Sequence, residues 1–402
     1  MAWDPSRRVF LKGAGLAAVG IGLGPSSLMV RAAEAATSGP GVLVKVFLRG
    51  GCDGLNLLVP HGEPEYYNLR QGIAIRDAVA LDSYFGLNPA LSSLRQLYAD
   101  GRLAFVTAVG NYGLTRSHFD AQDFMETGTP GDKTTGTGWL DRSIAAIPGT
   151  EVTQAVSFSS QVPRSYMGGE PVLVAQNLTQ FDLRARNWRD EAERQLRAMY
   201  GPLQTPVGRT GQETFAAMTT ILRTPELVAP PANGAAYPAG TIGSSLRQAA
   251  QVIKAGLGTR SIYVNVPGAF DTHSNQLFNN TLEFQRIGDA LLAFQTDLGR
   301  AMDDVVLLVT TEFGRTAAVN GSAGTDHGSG YTMIVMGGGV RGGRVYGQWP
   351  GLRRDQLYQQ RDLAVTTDFR DVFAEIARAQ LGVPASTLFP GYTAGAGPGI
   401  VG

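Results

Sequence analysis

The sequence predicts an α/β fold: a mostly parallel sheet with helices on both faces and an inserted cap region. Three observations carry that expectation. Short apolar runs alternate with amphipathic helical stretches along the chain. The apolar runs are nearly continuous rather than alternating, as in strands covered on both faces. Glycine contributes 52 of 402 residues, which favours a loop-rich architecture over a helical bundle.

The elements follow in order. Val42–Leu48 is an apolar run broken only by Lys45 and stopped by Gly50-Gly51, a buried strand. Asn88-Pro89 opens a helix over 88–98, with Leu91, Leu94 and Leu97 at helical spacing. Residues 103–109 form the next strand, then 244–255 a helix and Ser261–Val266 a strand ending at Pro267-Gly268. A long helix over 281–300 precedes strands at 305–309 and 331–336, and 368–380 closes the chain as a helix. Residues 145–240 differ: helices over 181–200 and 212–223 are followed by a proline-rich linker, 225–238. This stretch reads as a cap packed beside the sheet within one domain, 37–402.

The ends and the composition limit what the protein does. Ser6-Arg7-Arg8-Val9-Phe10-Leu11-Lys12, a weakly apolar stretch and Ala33-Glu34-Ala35 form a twin-arginine signal over 1–36. It implies a periplasmic or secreted protein, the export machinery as a partner and no stable membrane span after processing. Lys+Arg and Asp+Glu are both 34, so nothing favours nucleic acid as a partner. A hydrophobic share of 43% over this length supports a large core. Cys52 is the single cysteine, excluding an intramolecular disulfide and a cysteine metal cluster. Only four histidines are present (His61, His118, His273, His327), so a metal site is expected to draw mostly on carboxylates.

Four segments beside strand ends carry such groups: Gly50-Gly51-Cys52-Asp53-Gly54-Leu55-Asn56, Phe270-Asp271-Thr272-His273-Ser274-Asn275, Thr310-Thr311-Glu312-Phe313-Gly314-Arg315 and Gly324-Thr325-Asp326-His327-Gly328. In parallel sheets, chemistry collects beyond the carboxyl ends of strands. Carboxylates and imidazoles converging there repel unless a cation sits among them. Such oxygen and nitrogen donors suit Zn²⁺, Mn²⁺ or Mg²⁺. Taken singly, Asp53 also fits a turn, His273 a loop cap and Glu312 an ion-pair partner of Arg315. Ser117, at a helix start after strand 103–109, fits either a nucleophile favoured by the helix dipole or a plain N-cap, and Thr115 is its neighbour in both roles. Arg116, Arg315 and Asn56 are candidates for holding substrate oxygens.

These motifs together (GG-x-DGLN, RSHFDAQD, FDTHSNQ, TTEFGRT, GTDHG) resemble the domain of unknown function 1501 family, within the alkaline phosphatase-like superfamily. The resemblance implies a metal-dependent hydrolase of phosphate or sulfate esters acting on a small-molecule ester. Asp53 resembles the first metal-binding aspartate and Ser117 the nucleophile. Asp271, His273 and His327 resemble the ligands of one ion, and Asp326 joins them as a candidate. Glu312 falls where many members carry an Asp-His pair, and Phe313 replaces the histidine. The implied second site is then oxygen-only (Asp53, Glu312, Ser117) and suits Mg²⁺ or Ca²⁺, so one or two divalent ions are expected.

Other readings compete. One is a non-catalytic, metal-binding cell-envelope protein on the same fold. Another is a nucleotide-binding oxidoreductase, since Gly337-Gly338-Gly339-Val340-Arg341-Gly342 fits G-x-G-x-x-G, although no helical pattern follows it. No G-x-S-x-G occurs for a nucleophile-elbow hydrolase, and a thiol nucleophile at Cys52 is opposed by the adjacent carboxylate.

Overall fold

Strand β1 (Val42–Leu48) is the spine of the sheet, and burial of Leu43 through Leu48 shows that both sides of its pleat are covered. The computed structural model describes residues 41–111, 115–149, 151–183 and 186–402, so the signal sequence read over 1–36 lies outside the described residues. The remaining strands of the sheet are β2 (Leu103–Gly110), β3 (Ala155–Phe158), β4 (Leu173–Val174), β5 (Ser261–Val266), β6 (Val305–Thr310), β7 (Tyr331–Gly337), β8 (Val345–Tyr346) and β9 (Thr367–Asp368). They run β8-β2-β7-β6-β1-β5-β3-β4, with β9 also paired to β2. All these pairings are parallel except those of β7, which is antiparallel to both β2 and β6.

Register decides where the loops emerge. β1 pairs with β5 from Leu43↔Ser261 to Leu48↔Val266, and with β6 from Val42↔Val305 to Phe47↔Thr310. The three central strands therefore end level. Because β7 is antiparallel, it begins at the rim where β1, β2, β5 and β6 end. The segments after β1, β2, β5 and β6 and the one before β7 all reach that rim.

The longer helices are α1 (His118–Thr127), α2 (Trp139–Ala145), α3 (Arg189–Tyr200), α4 (Pro206–Arg223), α5 (Thr241–Lys254), α6 (Gln276–Leu298) and α7 (Phe369–Leu381). α7 packs on β1 and β6, whereas α5 packs on β5 and against α6. Several expectations shift. The α-helix read over 181–200 begins only at Arg189, and the one read over 212–223 begins earlier, at Pro206, where Thr205 caps it through Gly208 N. The helix expected over 88–98 is a 3-10 stretch, Pro89–Leu94, continued by a short α-helix, Arg95–Ala99, because Ser92 and Ser93 are weak helix formers in mid-segment. α6 begins earlier than its apolar periodicity suggests, at Gln276, carrying the loop-like Asn279 and Asn280 with Asn280 buried.

Residues 145–240 divide between the sheet and an addition to it: β3 and β4 are sheet strands, and α3 and α4 pack on each other. Gly337 closes β7 and strand β8 follows, so the glycine run does not open a nucleotide-binding helix. Among the described residues no helix is long and apolar enough to cross a membrane.

Lys45, the polar residue of β1, is fully buried. Its ammonium lies 5.2–5.5 Å from the rings of Phe47, Trp139, Tyr263 and Phe373 and donates to Ser165 Oγ at 3.3 Å. Burial pushes its amine down to about 7, against the attraction of Glu126. Between about pH 7 and its ordinary value the unfolded chain holds a proton that the folded chain has lost, so stability rises with pH there. Urea denaturation between pH 7 and 9.5 should show a slope, up to about 1.4 kcal/mol per pH unit, that Lys45→Met flattens. Equal slopes in the two proteins would contradict this.

Candidate metal centre

Four side chains meet at the rim, brought there by three connections. His118 is the first residue of α1, after β2, and Ser117 caps that helix by accepting from Asp120 N at 3.4 Å. Asp271 and His273 lie between β5 and α6. His327 precedes β7 and pairs as an isolated bridge with Arg315, which fixes its position beside the loop after β6.

The contacts are short. His327 Nε2 lies 3.0 Å from His273 Nε2, 3.1 Å from His118 Nε2 and 3.0 Å from Asp271 Oδ1. Asp271 Oδ1 is also 3.0 Å from His273 Nε2 and 3.4 Å from His118 Nε2. His118, Asp271 and His327 offer ligand atoms that all lie within 4.8 Å of one another.

The outer nitrogens determine what the inner ones can do. His118 Nδ1 donates to Glu312 Oε1 at 2.8 Å, and His273 Nδ1 to Asp326 Oδ1 at 2.9 Å. His327 Nδ1 donates to the carbonyl of Arg116 at 2.8 Å. None of these acceptors can donate, so each ring carries its proton on Nδ1 and a neutral ring turns its Nε2 lone pair inward. Facing lone pairs beside a carboxylate repel, and a cation relieves that repulsion. Imidazoles anchored through Nδ1 by carboxylates or carbonyls are the usual outer support of metal-ligating histidines. The donor set therefore fits a divalent ion of the zinc or manganese type.

Electrostatics keep the acids ionised. Burial pushes the Glu312 carboxyl up, but hydrogen bonds from His118, Gln122 and the Gly50 backbone outweigh it and hold it at about 2. Partial burial likewise pushes Asp271 up, and the Arg315 guanidinium 2.6 Å away holds it at about 2. His118 is raised, chiefly by its bond to Glu312.

The candidate residues read from the sequence fall into two groups. Asp271, His273 and His327 come together, and His118, counted among the four histidines but not assigned as a ligand, joins them, so three imidazoles and one carboxylate meet where carboxylates were expected to predominate. Its signal was available: it is one of four histidines and opens a helix after a strand that ends at the same rim. Glu312 and Asp326 stand one step outside, each anchoring a ring rather than facing the centre. Asp53, expected as the first ligand, is instead buried against Arg70, with Gln276 as a further donor and its Oδ1 capping the helical turn at Leu55 and Asn56. Asn56 is consumed by Arg70, Tyr66 and the Ile73 carbonyl. The oxygen-only second site is thus not assembled: its members bond to other partners.

The arginines are also committed. Arg315 is buried and donates to the carbonyls of Gly50, Gly51, Phe270 and Thr325 as well as to Asp271, tying three loops together. Arg116 grips Asp362 through Nε and Nη2. Phe313, in place of the histidine, stacks on His118 and His327 with ring centroids 4.8 and 5.0 Å away. Gly51 makes room for it: at φ +68 its backbone suits glycine, and a Cβ would lie 2.6 Å from the Phe313 ring.

Asp53→Ala leaves Arg70 buried and unpaired, so urea denaturation should show a loss of about 3 kcal/mol or more, while folded protein retains its metal stoichiometry. Loss of metal from folded Asp53→Ala would contradict the placement. Protonated imidazole cannot ligate, so chelator competition should show metal affinity falling with pH, starting above the ordinary histidine value because His118 is raised. Glu312→Gln removes that support and should cost about 10–100-fold in affinity; unchanged affinity would show that Glu312 orients nothing.

Comparison with solved structures finds the following. The chain is similar to Ps i-CgsB, solved with k-i-k-neocarrahexaose, at 8% identity and TM-score 0.41 over 88% of this chain and 75% of that one. It is similar to the PsFucS1 sulfatase from Pseudoalteromonas sp. at 13% identity and TM-score 0.37, over 90% of this chain and 72% of that one. A protein in the alkaline phosphatase superfamily from Vibrio parahaemolyticus is similar at 10% identity and TM-score 0.30, over 75% and 61%. No curated protein matches the sequence. The family signature described as "Protein of unknown function (DUF1501)" matches residues 42–387, nearly all of the described chain, and the protein belongs to that family.

Proposed function

We propose that the protein is a metal-dependent hydrolase of phosphate or sulfate esters, exported by the twin-arginine route, with Ser117 as nucleophile. One observation carries the reading: inward imidazole nitrogens and an ionised carboxylate at a half-exposed position on the sheet rim. His118, His327 and Asp271, with His273 beside them, would hold the ion. When bound, a divalent ion supplies charge stabilisation for the oxygens of an anionic ester and makes a nearby hydroxyl more acidic.

The chain's own groups supply the rest. Ser117 precedes His118 at the N-terminus of a ten-residue helix, where the dipole favours negative charge developing on its oxygen. Its Oγ–phosphorus or Oγ–sulfur bond forms as the ester bond to the alcohol breaks; the serine hydroxyl loses its proton to solvent, and the departing alcohol takes one up from solvent. Water then cleaves the serine ester, releasing phosphate or sulfate and restoring the hydroxyl. Thr115 Oγ1 accepts from Ser117 N at 3.2 Å and so steadies the serine backbone. Arg116 Nη1, with no recorded partner among the described residues, has donors for a substrate oxygen.

A metal-binding protein without turnover is the second reading. It is favoured by the full engagement of Arg315 and by the capping bond at Ser117 Oγ. Elemental analysis combined with p-nitrophenyl phosphate and sulfate assays separates the two. Hydrolysis should fall about 10³-fold or more in Ser117→Ala with metal retained, and His327→Ala should lose both. Full metal content without Ser117-dependent turnover would select the second reading.

A further inference from the structure

A cleft of about 360 Å³ opens beside the metal centre, within the usual size range of small-ligand sites. Gln122 is the shared wall: its side chain lines the cleft, yet its Nε2 donates to Glu312, the anchor of His118. Residues 159–164, from the stretch outside the central strands, form the opposite side.

The cleft's charges are already matched. Arg49 pairs with Glu126 at 2.6 Å, and its other donors reach Gln122 and Asn265. Arg164 pairs with Asp123 at 2.8 Å and donates to the carbonyls of Gly136 and Thr135. Two cations facing two anions leave no net charge to recognise a second anionic group. The unspent groups are neutral: the Ser160 hydroxyl, the Gln161 amide and Asn265 Nδ2 have no recorded partner among the described residues. At the rim stands Phe119, 87% exposed and next in sequence to His118. An exposed ring so placed is not core; it offers a flat apolar face beside amide and hydroxyl groups. That pairing suits a ring with a C–H face and hydroxyl edges.

We infer that this cleft binds the sugar ring of a carbohydrate ester. Resting on the proposed hydrolase reading, the inference makes the substrate a sugar phosphate or sulfate whose ester group is presented to the metal centre. Phe119 covers the sugar's apolar face, and Gln161, Ser160 and Asn265 bond its hydroxyls. The reacting anion is held at the metal centre and the neutral ring in the cleft.

Saturation-transfer NMR on the full mature chain, with methyl glycosides of glucose, galactose, mannose and fucose as probes, tests this apart from turnover. At least one glycoside should receive saturation at its ring protons. The signal should fall at least fivefold in Phe119→Ala and in Gln161→Ala, both surface changes, with metal content unaltered. Chelator-treated wild type should keep it, so a failed hydrolase reading would leave the glycoside result standing on its own. Absence of transfer to all four probes, transfer that survives both substitutions, or displacement by millimolar inorganic sulfate would each overturn the sugar assignment.

Discussion

Three imidazoles whose outer nitrogens are already bonded must turn lone pairs toward one another, and that constraint organises the rest of the molecule. His118, His273 and His327 are each held through Nδ1 by an acceptor that has no proton to give. Among the described residues, Arg315 reaches the centre through Asp271 Oδ1 and directs its other donors at backbone carbonyls. The surroundings are built to keep the repulsive arrangement in place. Phe313 packs against two of the rings, and the loop glycines let the chains approach closely enough for the contacts to form.

The sheet makes this geometry affordable. β1, β5 and β6 end in register, so their loops emerge at one level without long excursions. Burying Arg315 and Glu312 would be costly if either were poorly bonded. Arg315 is offset by four carbonyls and a carboxylate, and Glu312 by a ring N–H, an amide and a backbone N–H. The rim is thus held together by polar groups satisfied across loops distant in sequence.

Much of the fold was legible because parallel strands announce themselves as apolar runs, as at Val42–Leu48 and Ser261–Val266. The short strands Ala155–Phe158 and Leu173–Val174 were not, since four and two residues give no periodicity. At the site, Asp271, His273 and His327 stood out as acid and imidazole beside strand ends. Asp53 had the same local signature but a different fate, because Arg70, 17 residues on, reaches back to it. A carboxylate at a strand end looks the same to a sequence reader whether its partner is an ion or an arginine. The role of His118 was illegible because Glu312, 194 residues away, is what orients its ring, and no local pattern carries that pairing.

Anomalous diffraction from protein loaded with Zn²⁺ or Mn²⁺, collected at the metal edge, tests the central claim most directly. The account predicts one strong peak within about 2.0–2.2 Å of His118 Nε2, His327 Nε2 and an Asp271 oxygen. A peak between Asp53 and Glu312, or none at the rim with metal in excess, would contradict it.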